Sequence, residues 1–453
     1  MTDQNDHSII AEFLSKNPDI ERIEAIFPTI NGIYRGKWIP AGDFAKLTNG
    51  ALRLPVSTYA LDSWGIDVES SGLGIANGDP DGIGQAVPHT LSRVPWAIAP
   101  TVQIIMTMQL RDDEASPCPY DPRQQLAMMC QRFAAKGLTP VLATELEFYL
   151  IKTTDKNNPR PQPFQEITNG NLNHLDQMLD FEPVLNEIRL ACDTQNVAAD
   201  VMIAEAGMCQ FEINFKHLDD PLRAGDQAML FKRIVKGCAI KHGMEATFMA
   251  KPFGEDLGSG LHVHVSLLDE NGNNIFEQSP PASTPGDQLR YATGGLLDSM
   301  AELQAIFAPN LNSYRRLQSG SFAPDEINWG YDHRAAAIRL PEINGPAARL
   351  EHRICGADAN PYLTLTAILG GILHGLENRI EPGEPLTSEK YQATNHLTKD
   401  WAATVEQFKH SHLAKSIFGE AFHHVYVNLR EHEIGEMAKK VSDVEFAVYL
   451  HGA

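Results

Sequence analysis

The sequence predicts an α+β fold built on one antiparallel sheet, and three observations carry that expectation. Four short stretches alternate apolar and polar residues at period two, the pattern of strands that are packed on one side only. Between them lie longer segments with apolar residues at helical spacing behind recognisable start signals. The polar sides of the four strands carry carboxylates, imidazoles and guanidinium groups rather than an ordinary solvated mixture.

Taken in order, residues 20–40 alternate like strands, with Asn31-Gly32 marking a hairpin turn. Residues 52–82, rich in Gly, Ser and Asp, read as loops between short strands, and 101–110 as a further strand. The polar stretch 111–120 reads as a linker, which places a domain boundary near Pro117 and gives domains of residues 1–116 and 117–453. Asp121-Pro122 opens a helix by N-cap and first-position proline, and Gly137 closes it; its stripe of Leu126, Met129, Cys130 and Phe133 is core. Then come the strand around Glu145 and Glu147, helical material over 176–192, the region 205–215, and a helix over 224–242. A polar loop covers 279–286. Asn360-Pro361 starts another helix through Ile368, Ile372 and Leu376, whose Gly370, Gly371 and Gly375 imply close packing on a neighbour. The last hundred residues read as helical, with no site-like constellation.

Composition narrows the function. The chain has 453 residues, 43% hydrophobic and 21% charged, as expected of an ordinary globular protein. A formal net charge of −21 argues against nucleic acid, whose phosphates it would repel. The six cysteines are scattered, without a CxxC pair, which fits reduced thiols and a cytoplasmic protein. The N-terminus is polar, and no apolar run reaches the ~18 residues that a membrane span needs.

The most informative stretch is Gly258-Ser259-Gly260-Leu261-His262-Val263-His264-Val265-Ser266-Leu267. Its four aliphatic side chains share one face of a strand, and His262, His264 and Ser266 share the other. Two histidines on a strand would fit a solvated face equally well, but three other strands repeat the pattern. Glu145 and Glu147 leave one face; Gln210, Glu212 and Asn214 oppose Phe211, Ile213 and Phe215; Arg349, Glu351 and Arg353 share a face. Side by side, these strands would gather Glu145, Glu147, Glu212, His262 and Glu351, and like charges so crowded need cations between them.

In chain order, E-x-E, E-x-G-x-x-Q-x-E, G-S-G-x-H-x-H, N-S-Y-x-R-L and R-x-E-x-R resemble the bacterial type I glutamine synthetase group from about Asp121 to the helix after Asn360, and more loosely before it. The resemblance implies a small N-terminal β-grasp domain and a catalytic domain with a curved antiparallel sheet flanked by helices. It also implies a homododecamer of two hexameric rings with active sites between subunits. Carried over residue by residue, Glu147, Glu205 and Glu212 would hold one divalent ion, and Glu145, His262 and Glu351 a second. Two or three Mg²⁺ (or Mn²⁺) suit such oxygen-rich ligands and would clamp ATP. Arg316, Arg353 and Gly258 match glutamate-binding positions; Arg334 and Arg339 match a catalytic, phosphate-contacting pair; His264, Ser266, Arg339 and Arg349 fall on the ATP side.

Two departures bear on the substrate. The group's ammonium-handling aspartate and glutamate correspond to Pro55 and Phe322, which can neither accept a proton nor bind a cation's N–H. Phe322 and Pro55, with Tyr59, Trp329 and Asp62 as further candidates, would make a pocket for a carbon-bearing amine. That pattern is similar to γ-glutamylpolyamine and related γ-glutamylamide synthetases, which act on putrescine or comparable amines. The alternatives are an ordinary glutamine synthetase using ammonium and a catalytically silent structural member. Leu257 stands where the group usually has a glutamate-binding asparagine, and Ile203 where histidine is common.

Overall fold

The architecture was taken from a computed structural model that describes residues 2–155, 159–165, 172–279, 282–318, 322–391 and 395–452. Two sheets organise the chain. The N-terminal sheet runs Tyr34–Pro40, Arg22–Pro28, Thr101–Gln109, Asp81–Ala86, Arg53–Pro55, with Ser92–Arg93 added beside Thr101–Gln109. Its central pair, Arg22–Pro28 with Thr101–Gln109, is parallel; its other pairings are antiparallel. The Asn31-Gly32 turn falls where the sequence places it: Thr29 N–H donates to the Ile33 carbonyl, and Gly32 takes a φ of 68°. Ile23, Phe27 and Val102 fill one buried cluster, while Ile26 and Ile105 project into the core beneath the second sheet. The stretch read as a linker instead folds back on this unit. Leu110 N–H bonds to the Ser116 carbonyl, Cys118 N–H to that of Met108, and Cys118 is fully buried.

The second sheet has the order Trp329–Tyr331, Ile338–Glu342, Arg349–His352, Leu261–Leu268, Thr139–Lys152, Gln210–Phe215, Ala199–Ala204, with Met244–Thr247 also paired to Thr139–Lys152. All four patterned strands are adjacent and antiparallel. Their apolar sides (Leu146, Phe148, Phe211, Ile213, Leu261, Val263, Val265) are essentially inaccessible to solvent and pack toward the Pro221–Lys241 helix, where Phe148 meets Phe231 edge-on at 5.9 Å between centroids. Burying each such side chain contributes about 1.5–3 kcal/mol, so a one-residue slip that turned this face outward would be prohibitive. The register of the polar side is thereby fixed.

The two helix starts read from an N-cap followed by proline hold, while the helix expected from 224 begins earlier, at Pro221 behind Asp220. Asp121 accepts from Arg123 N–H to cap Pro122–Ala134, and Asn360 accepts from Tyr362 and Leu363 N–H to cap Pro361–Asn378. Gly371 and Gly375 of the latter helix do meet a neighbour, Asp287–Phe307, and Gly370 meets Ile417 of His412–Phe418. A Cβ on Gly375 would lie 2.0 Å from the Tyr291 carbonyl oxygen, and one on Gly295 2.3 Å from that of Gly371. Among the described residues, no helix is long and apolar enough to cross a membrane.

Candidate active site

Strand register brings the polar side chains together. Glu145 lies opposite His262 on one side and Asn214 on the other; Glu147 is opposite Glu212; Glu351 is opposite both His264 and Arg339. Residues more than two hundred positions apart thus form one patch because each strand sends alternate side chains to the same face.

Two groups in this patch have the spacing of metal sites. Donor atoms of Glu145, His262 and Glu351 all lie within 4.8 Å of one another, and so do those of Glu147, Glu212 and His262. The first set is the one that the sequence implies. The second contains His262 where Glu205 was expected, so Glu205 stands beside the cluster rather than inside it. It follows the Ala199–Ala204 strand, with its backbone N–H on the Gln210 carbonyl.

The electrostatics agree with the geometry. Burial raises the Glu205 pKa to about 7, and the charge of Glu147 adds to the rise. Burial, then repulsion from Glu145, Glu147 and Glu205, pushes Glu212 well above the usual carboxylate range. Burial would do the same to Glu145, but His262 and His264 outweigh it and hold Glu145 far below; their ring nitrogens lie 3.2 and 2.9 Å from its carboxylate oxygens. Glu351 is likewise held down against its burial, by Arg353 first and then the two histidines. Carboxylates that ionise only reluctantly beside others that are already ionised form a donor set that cations would balance. Hard oxygen ligands with one imidazole fit Mg²⁺ or Mn²⁺.

Arginines border the patch. Arg339 Nη1 donates to Glu351 Oε2 at 2.8 Å and also pairs with Asp332; Arg353 donates to Glu351 Oε1 and, through Nε, to the Arg334 carbonyl. Arg334 is exposed nearby, and its charge acts to lower the Glu205 pKa. Arg316 is buried, with Nη1 on the Ile354 carbonyl at 2.8 Å, and runs past Gly258 and Gly260. A Cβ on either glycine would collide with it, at 2.7 Å from Cγ and 2.8 Å from Nη2. On the other flank, His264 faces His217 at 5.9 Å between centroids, Ser266 follows it on the same face, and Arg349 donates to the Ala347 carbonyl.

Three residues expected in an amine pocket are elsewhere. Tyr59 is buried inside the N-terminal unit, its hydroxyl donating to Asp121 Oδ2 at 3.0 Å. Asp62 is buried too: Oδ1 accepts from Trp64 and Ile66 N–H, and Oδ2 lies 3.3 Å from His432 Nε2. Trp329 is buried on an edge strand, its indole N–H on the Gly383 carbonyl. Each is buried and bonded to a partner within its own chain. Phe322 is 82% exposed and Pro55 partly exposed. Gly320 and Ser321 of the flap lie outside the described residues.

Sequence reasoning assigned no role to Gln210, whose Nε2 bonds the Gly258 carbonyl at 3.0 Å and reaches Glu147, or to Asn214, which donates to Glu212. Both flank Glu212 at period two, which was the available signal. Asp332, the exposed partner of Arg339, sits in a turn and gave none.

Residues 119–449 match the glutamine synthetase catalytic-domain family. The chain is 35% identical over 461 residues to gamma-glutamylputrescine synthetase PuuA of Escherichia coli (strain K12), covering 98% of this chain and 94% of the relative. It is 32% identical to a glutamate–isopropylamine ligase of Pseudomonas sp, covering 99% of both. Among solved structures, a GmaS/ADP complex superposes with a TM-score of 0.85 at 25% identity, over 97% of this chain and 99% of the other.

Proposed function

Because this chain belongs to the glutamine synthetase family, we propose that it is a glutamate–amine ligase that makes γ-glutamyl amides from glutamate, ATP and an organic amine. The observation that carries the reading is the pair of carboxylate–imidazole triads on one sheet face, ringed by arginines. In the proposed reaction the γ-carboxylate of glutamate attacks the terminal phosphorus of ATP and ADP leaves. The amine, as its free base, then attacks the acyl carbon, the C–O bond to phosphate breaks, and the departing phosphate carries the proton that the nitrogen gives up. Glu145, His262 and Glu351, and Glu147 and Glu212 with Glu205 alongside, would hold divalent cations. Those ions would screen the phosphate charge.

The chain's own residues do the rest. Arg316, with the backbone at Gly258, binds the substrate's carboxylate; Arg339 and Arg334 face the transferring phosphoryl group; Arg353 orients Glu351. His264, Ser266 and Arg349 take the nucleotide side. An amine with a carbon chain fits because Phe322 and Pro55 offer apolar surface where ammonium would need a carboxylate. Pro55 would come from an adjacent copy, in the double hexameric ring that the family resemblance implies.

The test is phosphate release from MgATP with glutamate and a panel of putrescine, isopropylamine, ethanolamine, methylamine and ammonium. Alkylamines or polyamines should outperform ammonium. Ammonium as the best nucleophile would return the chain to ordinary glutamine synthesis. Phe322→Glu combined with Pro55→Asp should raise ammonium use, and no change would count against this account of the pocket.

A further inference from the structure

Arg316 is 4% exposed at the end of a one-turn helix, Ser313–Arg316, too short to hold itself in place. Asp358 holds the turn from below. Its Oδ2 accepts from Ser313 Oγ at 2.6 Å and Asn310 Nδ2 at 2.7 Å. Asn310 Oδ1 accepts from Asn312 N–H at 2.9 Å, and the Asn310 carbonyl from Ser313 N–H at 3.0 Å. The far end of the turn returns to the same loop, since Arg316 Nη1 bonds the carbonyl of Ile354, four residues before Asp358. A second brace joins Asn312 to Lys251, amide to backbone in both directions at 2.9 Å.

The other Asp358 oxygen, Oδ1, is buried without a hydrogen-bond partner among the described residues. An orphaned carboxylate oxygen at that depth is costly unless charge balances it. Two buried cations are at hand. Lys232 donates to the Ala359 carbonyl at 2.8 Å, and the field of Asp358 opposes the effect of burial on Lys232 and, behind that of Glu147, on Arg316.

We infer that Asp358 is a positioning residue for substrate glutamate: it pins the 310–316 turn and, with Glu147, contributes buried negative charge that keeps the Arg316 guanidinium in the slot beside Gly258 and Gly260. The inference rests on Arg316 being the glutamate clamp of the proposed ligase.

Asp358→Asn keeps the shape and removes the charge; Ser313→Ala removes one of the two donors. Asp358→Asn should raise the KM for glutamate about tenfold or more, with kcat and the KM for ATP changed by less than about threefold, because binding common to ground and transition states is what is lost. Ser313→Ala should shift the same KM about threefold or more. The rise in Tm that saturating glutamate gives the wild type should shrink in both. A purely structural role would lower Tm and the active fraction without moving the glutamate KM. Wild-type glutamate KM in both variants, or parallel loss of ATP affinity, overturns the assignment, and Ser313→Ala decides alone if Asp358→Asn does not fold. A wild-type protein that responds to ATP but never to glutamate sinks the ligase reading itself, and the assignment with it.

Discussion

The polar face of the second sheet and the N-terminal loop over residues 55–66 both carry acidic and aromatic groups, but the fold uses them in opposite ways. On the sheet, Glu145, Glu147 and Glu212 crowd one another, and burial with mutual repulsion raises Glu212 and neighbouring Glu205. In the loop every comparable group is satisfied: Tyr59 by Asp121, Asp62 by two backbone N–H groups and His432, and Ser63 by Glu433. Frustrated charge marks a place built to receive something, and satisfied charge marks a place already closed. The contrast can be tested by breaking each region in turn.

The largest effect should come from the sheet. Glu147→Ala removes a carboxylate from the second triad and the acceptor of Gly260 N–H, bonded at 2.7 Å. Disturbing a group outside a metal's own ligands typically costs 10–100-fold, so loss of a ligand should cost more than about 100-fold in turnover with the fold intact by circular dichroism. Retained turnover would show that the cluster is not catalytic.

The matching change for the loop is Glu433→Ala, on the Glu420–Ala438 helix that holds it. Glu433 is buried, accepts from Ser63 N–H at 2.8 Å and from Ser63 Oγ at 2.6 Å, and pairs with buried Arg430, which also holds Asn31. Deleting one partner leaves an uncompensated buried guanidinium and should cost about 3–5 kcal/mol in urea or thermal unfolding. If Glu433→Ala instead spared stability and changed amine preference, the loop would belong to the site.

The site was legible in the sequence where it rests on strand periodicity. Glu145, Glu147, Glu212, His262 and Glu351 each sit at period two in a strand whose other face is apolar, and packing that face fixes where they point. The Asp121 and Asn360 helix starts were legible because capping is local. The N-terminal loop was not, because its fate depends on distant partners. Asp62 and Ser63 meet groups 370 positions later in the chain, on a C-terminal helix whose sequence gave no hint of a constellation. Trp329 was misread for the same reason: an aromatic near a flap is a pocket wall or a core residue according to what lies behind it. Glu205 falls between these cases. It follows a strand instead of lying within one, so no periodicity fixes its distance from Glu147 and Glu212.

A smaller effect separates the regions by pH. The Glu205 carboxyl has a folded pKa of about 7 against an ordinary value of 4.5. Between those values the folded state binds more protons than the unfolded one, so stability falls as pH rises through the window, with the full penalty present above pH 7. Glu145 and Glu351, held low, are ionised throughout and add no slope there. A divalent cation needs deprotonated ligands, so it should relieve the penalty most where it is largest. Mn²⁺ should therefore raise Tm more at pH 8 than at pH 5.5, and Glu205→Gln should reduce that difference to the part that Glu212, also raised by burial and its neighbours, contributes. A cation effect independent of pH would mean that the raised carboxyls take no part in binding.

Smallest of all should be Tyr59→Phe. The hydroxyl removed donates to Asp121 Oδ2, which also accepts from Met108 N–H at 3.1 Å, while Oδ1 caps the following helix through Arg123 N–H at 2.9 Å. Two backbone donors remain, so the buried carboxylate is not abandoned, and the ring still fills its place in the N-terminal core. The expected loss is about 1 kcal/mol of stability, with the KM for amine within about twofold of wild type. Burial already pushes Asp121 up to about 6, and the Tyr59 hydrogen bond works against that rise. Its removal should therefore let Asp121 protonate at still higher pH, making the variant's deficit larger at pH 7.5 than at pH 5. An amine KM that moved while stability stayed put would reverse the contrast, placing Tyr59 at the substrate and reopening the loop as a wall of the pocket.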